Sequence, residues 1–344
     1  MVAQIRVGRG GRLGAARLPC YPDRVIASPG TPRGPDQGAA ALDDAALADR
    51  LRRHVERLAG DIGERNLFRL RALHAAEDYI ASCWGEAGLE VCPQAYLCQG
   101  EEVRNLEVVL PGQRPASAAI LVGAHYDSVY GSPGANDNGS GVAVLLELAR
   151  LLSGERLGRS LRLVAFVNEE PPFFRTGLMG SLVYARACRA RGDALAAMLC
   201  LETVGCYSDA PRSQAYPPPL RFFYPSTASF IALVGNLRSA GLVRRLLAAY
   251  RRHARLPAEG AALPSLVPGI GWSDQWAFWK NGYRAVMVTD TAFYRYRHYH
   301  TAEDTPDKLD YPRMALLTSG LAAAIRELAN VPAGQGESAC TSAS

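Results

Sequence analysis

The sequence predicts an α/β fold: one doubly wound, mostly parallel sheet flanked by helices. Three observations carry this. Short apolar runs alternate with segments of helical period from about residue 118 to residue 328, the pattern of repeated strand–helix–strand units. Three of these runs end in ionisable side chains: Leu121-Val122-Gly123-Ala124 enters His125-Tyr126-Asp127, Leu161 to Val167 enters Asn168-Glu169-Glu170-Pro171, and Ala197 to Leu201 enters Glu202. Parallel strands of an open sheet share one carboxyl edge, where ligands bind, so three separate stretches deliver His, Asp and Glu to one place.

The elements follow in order. Residues 1–40 are rich in Gly, Pro, Arg and Ala without periodicity and read as a disordered, basic lead-in. From Asp43 to about Ala59, Leu47, Leu51, Val55 and Leu58 fall on one helical face behind an acidic cap. A second helix is expected over Leu67–Ala87, stopping at Gly88, followed by strands over Leu89–Leu97 and Val103–Leu110. The alternation then runs strand Ala118–Ala124, helix Gly141–Leu152, strand Leu161–Val167, helix Gly180–Arg191 and strand Leu195–Leu201. After a Pro-rich loop, Ala210–Pro225, come strand Ser229–Val234, helices Ser239–Arg255 and Ser273–Asn281, strand Ala285–Thr289 and a helix near Tyr311–Leu328. Residues 41–331 thus read as one domain, and the segment from Pro332 as a frayed tail.

Composition bounds the function. A chain of 344 residues, 48% hydrophobic and 21% charged, suits a large folded core and excludes a disordered or fibrous class. The net charge of +5 is small for this length. It comes partly from Arg6, Arg9, Arg12 and Arg17, and partly from a helix-like run, Leu242 to Arg255. These read as tail and solvated face, with no nucleic-acid motif beside them. None of the eight cysteines forms a Cys-x-x-Cys pair, which argues against thiolate zinc. Cys188 and Cys200 lie in apolar stretches as ordinary buried thiols, while a Cys92–Cys98 or Cys200–Cys206 bridge stays open at this stage. No apolar stretch approaches the roughly 18–20 residues that span a bilayer. Residues 1–19 lack the apolar core of a signal peptide, so a cytoplasmic chain is expected as written, with export following only from a different start site.

The chemistry lies in the strand ends. Adjacent Glu169 and Glu170 are costly to desolvate unless a cation neutralises one of them. His, Asp and Glu together make a hard-to-borderline donor set, with zinc the leading metal. His125 and Asp127 stand two apart, and a ligating imidazole needs an acceptor such as Asp127 on its other nitrogen. In the Gly-rich turn Gly134-Ala135-Asn136-Asp137-Asn138-Gly139-Ser140-Gly141, the two oxygens of Asp137 suit a bridge between two cations. The blander reading is helix capping by Asp137 or Asn138, and the Asn138-Gly139-Ser140 glycosylation match is expected to be chance. Of Glu169 and Glu170, one would ligate and the other serve as general base. Tyr299-His300-Thr301-Ala302-Glu303-Asp304 supplies a last imidazole, with Asp304 at hand to orient it and His298 as a rival ligand. Positions 125, 137, 170, 202 and 300 are so dispersed that only a folded sheet gathers them, unlike the local cluster of a zinc finger.

Together these motifs, from about Asn105 to Tyr311, resemble metallopeptidase family twenty-eight, the co-catalytic zinc aminopeptidases. The resemblance implies two zinc ions per chain and a peptide substrate. One metal would take His125 and Glu202, the other Glu170 and His300, and Asp137 would bridge them. Glu169 would be the general base, Asp127 would support His125, and Asp274 of Ser273-Asp274-Gln275 would be a further acid near the site. Gln275 stands where the family frequently carries His, and Glu202 where many members carry Asp. Related readings are a single-zinc glutaminyl cyclase, and a carboxypeptidase using Arg175, Arg295 or Arg297 for the substrate carboxylate. A binding domain that kept the fold without catalysis would be expected to lack ligands or the base. Trp272, Trp276, Trp279, Phe293 and Tyr294 flank the site-bearing segments, where lining a pocket is one role open to them, and most are expected in core packing.

Overall fold

A computed structural model describes residues 43–331. The expected lead-in and tail lie outside the described residues. Eight strands form one sheet: β1 (Cys92–Cys98), β2 (Glu101–Leu110), β3 (Ala119–His125), β4 (Leu161–Phe166), β5 (Leu195–Glu202), β6 (Ile231–Asn236), β7 (Ala258–Leu263) and β8 (Ala285–Thr289). Their order is β1-β2-β4-β3-β5-β8-β6-β7. The centre, β4-β3-β5-β8, is parallel, as is β6 with β7. The β1–β2, β2–β4 and β6–β8 pairs are antiparallel, so the sheet is mixed but mostly parallel.

Seven helices accompany it among the described residues: α1 (Asp44–Val55), α2 (Leu70–Glu86), α3 (Gly141–Leu152), α4 (Gly180–Arg191), α5 (Ala240–His253), α6 (Gln275–Lys280) and α7 (Tyr311–Asn330). Asp43 caps α1 by accepting from the amides of Ala45 and Ala46. The expected helix to Ala59 instead ends as α at Val55 and continues as a wider turn over Glu56–Ile62, closed by Gly63. The helix expected over Ser273–Asn281 is shorter, six residues. Strand β7 escaped the sequence reading because Ala258-Glu259-Gly260-Ala261-Ala262-Leu263 has no β-branched residue to announce it.

The central strands are buried on both faces, and successive side chains divide between two apolar layers. Val122, Leu163, Leu199 and Val286 join the layer of α1, α3, α5 and α7. Leu121, Val164, Phe166 and Met198 face α4 and α6. Beyond α6 the second face of β6 and β8 carries a smaller cluster, Phe230, Ala232, Val234 and Met287, covered by loops. All six cysteines of the described residues are free thiols, so neither conceivable bridge forms. Cys188 and Cys200 are fully buried, as expected. No helix of the described residues is long and apolar enough to cross a membrane.

Candidate metal centre

Sheet register brings the first two side chains together. Gly123 lies beside Cys200 in the β3–β5 pair. Two residues further along each strand stand His125 and Glu202, and the His125 Nε2 atom is 3.3 Å from the Glu202 carboxylate. On the other side β4 ends level with His125, opposite Phe166. The chain then turns through Asn168, in the left-handed region at φ 58°, and presents Glu169 and Glu170. Thr203 (φ 45°) and His300 (φ 58°) make comparably tight turns at the same edge, and such backbone strain gathers where side chains must be aimed.

Asp137 comes from the turn before α3. One of its oxygens is 3.3 Å from His125 Nε2 and the other 3.0 Å from His300 Nε2. Glu170 lies 3.4 Å from the same His300 nitrogen, and Glu169 lies 4.0 Å from His125 Nε2. Two sets of three donors therefore share Asp137: His125 with Glu202, and His300 with Glu170. The sequence reading brought these six side chains to one place, and the structure does so. His298 joins neither set.

The surroundings hold the Asp137 turn rigidly. Asp304 accepts from the amides of Asn136 (2.8 Å) and Asp137 (3.1 Å) and from the Tyr296 hydroxyl (2.7 Å). Its carboxylate thus braces the Asp137 turn, whereas the sequence had suggested that it orients His300. Asn138 carries the capping role: its side-chain oxygen Oδ1 accepts from Gly141 N at the start of α3 and from Thr203 N. Asn138 is fully buried, so its glycosylation match is chance. Gly134, at φ 64°, is required because a Cβ there would lie 2.5 Å from the Asp137 carbonyl oxygen. Asp127 differs from expectation in an instructive way. Its carboxylate oxygens accept the amides of Glu169 and Glu170, each at 3.1 Å. The nearest partner of His125 Nδ1 is the Asp127 backbone carbonyl at 3.2 Å, with the carboxylate at 3.6 Å.

Three supports went unread in the sequence. Arg65, fully buried, donates to the carbonyls of Tyr126 (2.7 Å) and Gly134 (2.7 Å), tying the His125 loop to the Asp137 turn. Ser273 donates to Glu202 at 2.5 Å. Asp290 accepts from Asn136 Nδ2 at 2.9 Å. Asp290 was findable, since an acid directly after the apolar run Ala285–Thr289 repeats the signal that marked Glu202. Arg65 lies in a turn with no motif.

Electrostatics follows from burying so many acids. Burial drives Glu170 up to about 7, with Asp137 adding to it and His300 opposing. Burial likewise raises Glu169, against the pull of His125. Burial lifts Asp274 to about 7, and neither of its oxygens has a hydrogen-bond partner. His300 resists the lowering effect of burial and rises to about 10 because Asp137 and Glu170 face it. Asp137 is held low: the imidazoles outweigh the cost of its burial. The test of whether cations suit this cluster is hydrogen-bond satisfaction. His125 Nε2, Asp137 Oδ2 and Glu170 Oε1 are buried without hydrogen-bond partners. Unsatisfied buried polar atoms are costly, and these are imidazole nitrogen and carboxylate oxygens gathered in one cluster, the donors that zinc takes. The residues fit the metal.

A mostly parallel sheet carrying convergent imidazoles and carboxylates on one edge is the arrangement of a metal-dependent enzyme. Residues 105–325 match the sequence profile of Peptidase family M28, and the chain belongs to that family. The protein YfbL of Escherichia coli (strain K12) is 36% identical over 311 residues, covering 88% of this chain and 91% of that one. A probable leucine aminopeptidase of Trichophyton verrucosum is 26% identical over 224 residues, 61% of this chain, which spans about half (53%) of that relative. Among solved structures, the glutaminyl cyclase of Fimbriiglobus ruber superposes with TM-score 0.62 at 21% identity, covering 86% of this chain and 99% of that one. The zinc aminopeptidase BSAP of Bacillus subtilis gives TM-score 0.61 at 17% identity, covering 83% and 95%. At these identities the likeness is one of fold.

Proposed function

We propose that the protein is a two-zinc aminopeptidase, releasing residues from the N-terminus of peptides. The observation that carries this reading is Asp137, whose two oxygens address His125 and His300 separately. Glu202 completes one set of donors and Glu170 the other. Zinc, when bound, supplies Lewis-acid polarisation of the scissile carbonyl and acidifies a water molecule.

The chain's own residues divide the remaining work. Glu169 stands in the cluster beside His125 but outside the bridge, and its raised proton affinity suits a group that takes a proton from water and passes it to the leaving amine. Asp127 fixes the backbone of Glu169 and Glu170, and so the separation of base and ligand. A carboxypeptidase would need a guanidinium for the substrate carboxylate, and two of the candidates already hold backbone or side-chain partners, with Arg295 Nη2 buried and unpaired. Arg175 donates to the Gly271 carbonyl at 2.7 Å. Arg295 donates to Gln214 and to the carbonyls of Cys206 and Phe230.

The test is Glu169→Gln. The variant should lose about 10²–10⁴-fold in kcat toward aminoacyl-nitroanilides while keeping the metal content of the parent. Parental turnover in this variant, or activity in the parent that survives exhaustive chelation, would overturn the reading.

A further inference from the structure

The metal centre takes one edge of the sheet, and the opposite edge carries a cavity. Strands β3, β5 and β8 run parallel and begin at that edge. Strand β6 is antiparallel to β8 and so ends there, which puts the start of α5 beside it. The turns that lead into these strands and helix enclose about 2260 Å³, the solvent mouth included. Two half-buried rings fix its walls. The Tyr283 hydroxyl donates to the Asp193 carbonyl at 3.0 Å, and Trp279 Nε1 donates to the Ala285 carbonyl at 3.0 Å. From Ala119 to His125, β3 rises about 20 Å. A ligand in this cavity therefore lies a full strand length from the metal donors.

The lining is rich in one kind of charge. Arg159, Arg189, Arg238, Arg245 and Arg284 all border the cavity. They come from five places in the chain: the turn before β4, the last turn of α4, the short turn before α5, α5 itself and the turn before β8. Arg159 is buried and held by donating to the Ala118 carbonyl at 3.0 Å. Arg189 and Arg238 are exposed, one on each side of the sheet's edge. The only acid among the described lining residues is Asp193. It is already paired with two arginines outside the lining, Arg191 at 2.7 Å and Arg162 at 2.8 Å. Like charges gathered around one space repel, and a multiply charged anion relieves that repulsion while filling several guanidinium forks. The start of α5 adds the positive end of a helix dipole at the same place. The basic run Leu242 to Arg255, which reads in the sequence as a solvated face, contributes Arg245 to this cavity.

We propose that this cavity is a second ligand site, separate from the metal centre, for a small organic anion carrying two or more phosphate or carboxylate groups. The site stands on its own residues and does not depend on the aminopeptidase reading.

The test is calorimetry on the purified full chain loaded with zinc. Fructose 1,6-bisphosphate probes for phosphate groups, tricarballylate for carboxylates, and fructose serves as the uncharged control. At least one polyanion should bind, fructose should not, and the tighter of the two anions names the group the cavity takes. The double variant Arg189→Ser with Arg238→Ser removes two exposed guanidiniums that belong to neither the metal centre nor the core. It should bind the polyanion at least about tenfold more weakly, since a hydrogen bond to a charged group is worth that factor or more. Its thermal unfolding without ligand and its zinc content should match the parent. The metal-stripped parent should bind the polyanion as the loaded one does. Failure of both polyanions to bind, equal affinity in parent and double variant, or binding that disappears with the metal would each overturn the proposal.

Discussion

Asp127→Asn isolates the support of the metal centre from the ligands themselves. Asp127 is buried, and its two oxygens each accept one amide, from Glu169 and from Glu170 at 3.1 Å. Asparagine keeps the shape but offers one acceptor, so one of the two amides faces an NH₂ group. A buried donor left without a partner costs about 1–3 kcal/mol. The surviving bond also loses its charge assistance, about 1 kcal/mol more. The sum is about 2–4 kcal/mol, a large share of the roughly 5–15 kcal/mol that holds a typical domain together, yet small enough for the variant to fold. Removing one acid relieves repulsion in the metal-free cluster, so the comparison belongs to the metal-loaded forms. Because the displaced backbone carries Glu170 and Glu169, zinc affinity and kcat should each fall about 10–100-fold. Urea unfolding and competition with a chelating dye read the two effects. A stability loss below about 0.5 kcal/mol with zinc affinity within about twofold of the parent would refute the assignment of Asp127 as the brace of this pair.

Two further outcomes follow from the same geometry. In the metal-free chain, Glu170 is raised to about 7 and His300 to about 10, each above its unfolded value. Groups raised in this way stabilise the fold at low pH and cease to do so as pH rises through their folded values. The melting temperature of the metal-free protein should therefore fall between pH 6 and pH 10, and zinc should abolish most of that slope; a metal-free melting temperature that rises over this window would contradict the assignment. Arg65→Lys keeps the charge but loses the planar fork that reaches the Tyr126 and Gly134 carbonyls. It should destabilise the chain by about 3–5 kcal/mol in urea unfolding, and a loss under about 1 kcal/mol would show that the guanidinium is not the tie between the two loops.

Much of this centre was legible because the strands end where their polar residues begin. The apolar runs before His125, Glu169 and Glu202 announced both the sheet and its ligand edge, and α3, α4 and β8 fall on the expected residues. What escaped was what depends on tertiary partners. The six residues of β7 form a strand because β6 offers them a parallel edge, not because alanine and glycine favour one. Asp304 stands four residues from His300, and sequence distance suggested that pair. The fold turns the carboxylate toward Asn136 and Asp137, more than 160 positions away in the chain. Arg65 carries no signal at all, since its partners are backbone carbonyls, which leave no trace in composition. The Ala210–Pro225 loop was legible only as Pro-rich, because a residue such as Tyr216 gains its packing partners from the strands beneath it.

Elemental analysis of the purified full chain, desalted after zinc loading and paired with an accurate protein concentration, puts the shared Asp137 to the most direct trial. The proposed function predicts two zinc ions per chain, with Asp137→Ala retaining fewer than one. A parent that binds a single ion, or a variant that still holds two, would mean that Asp137 does not join two metal positions.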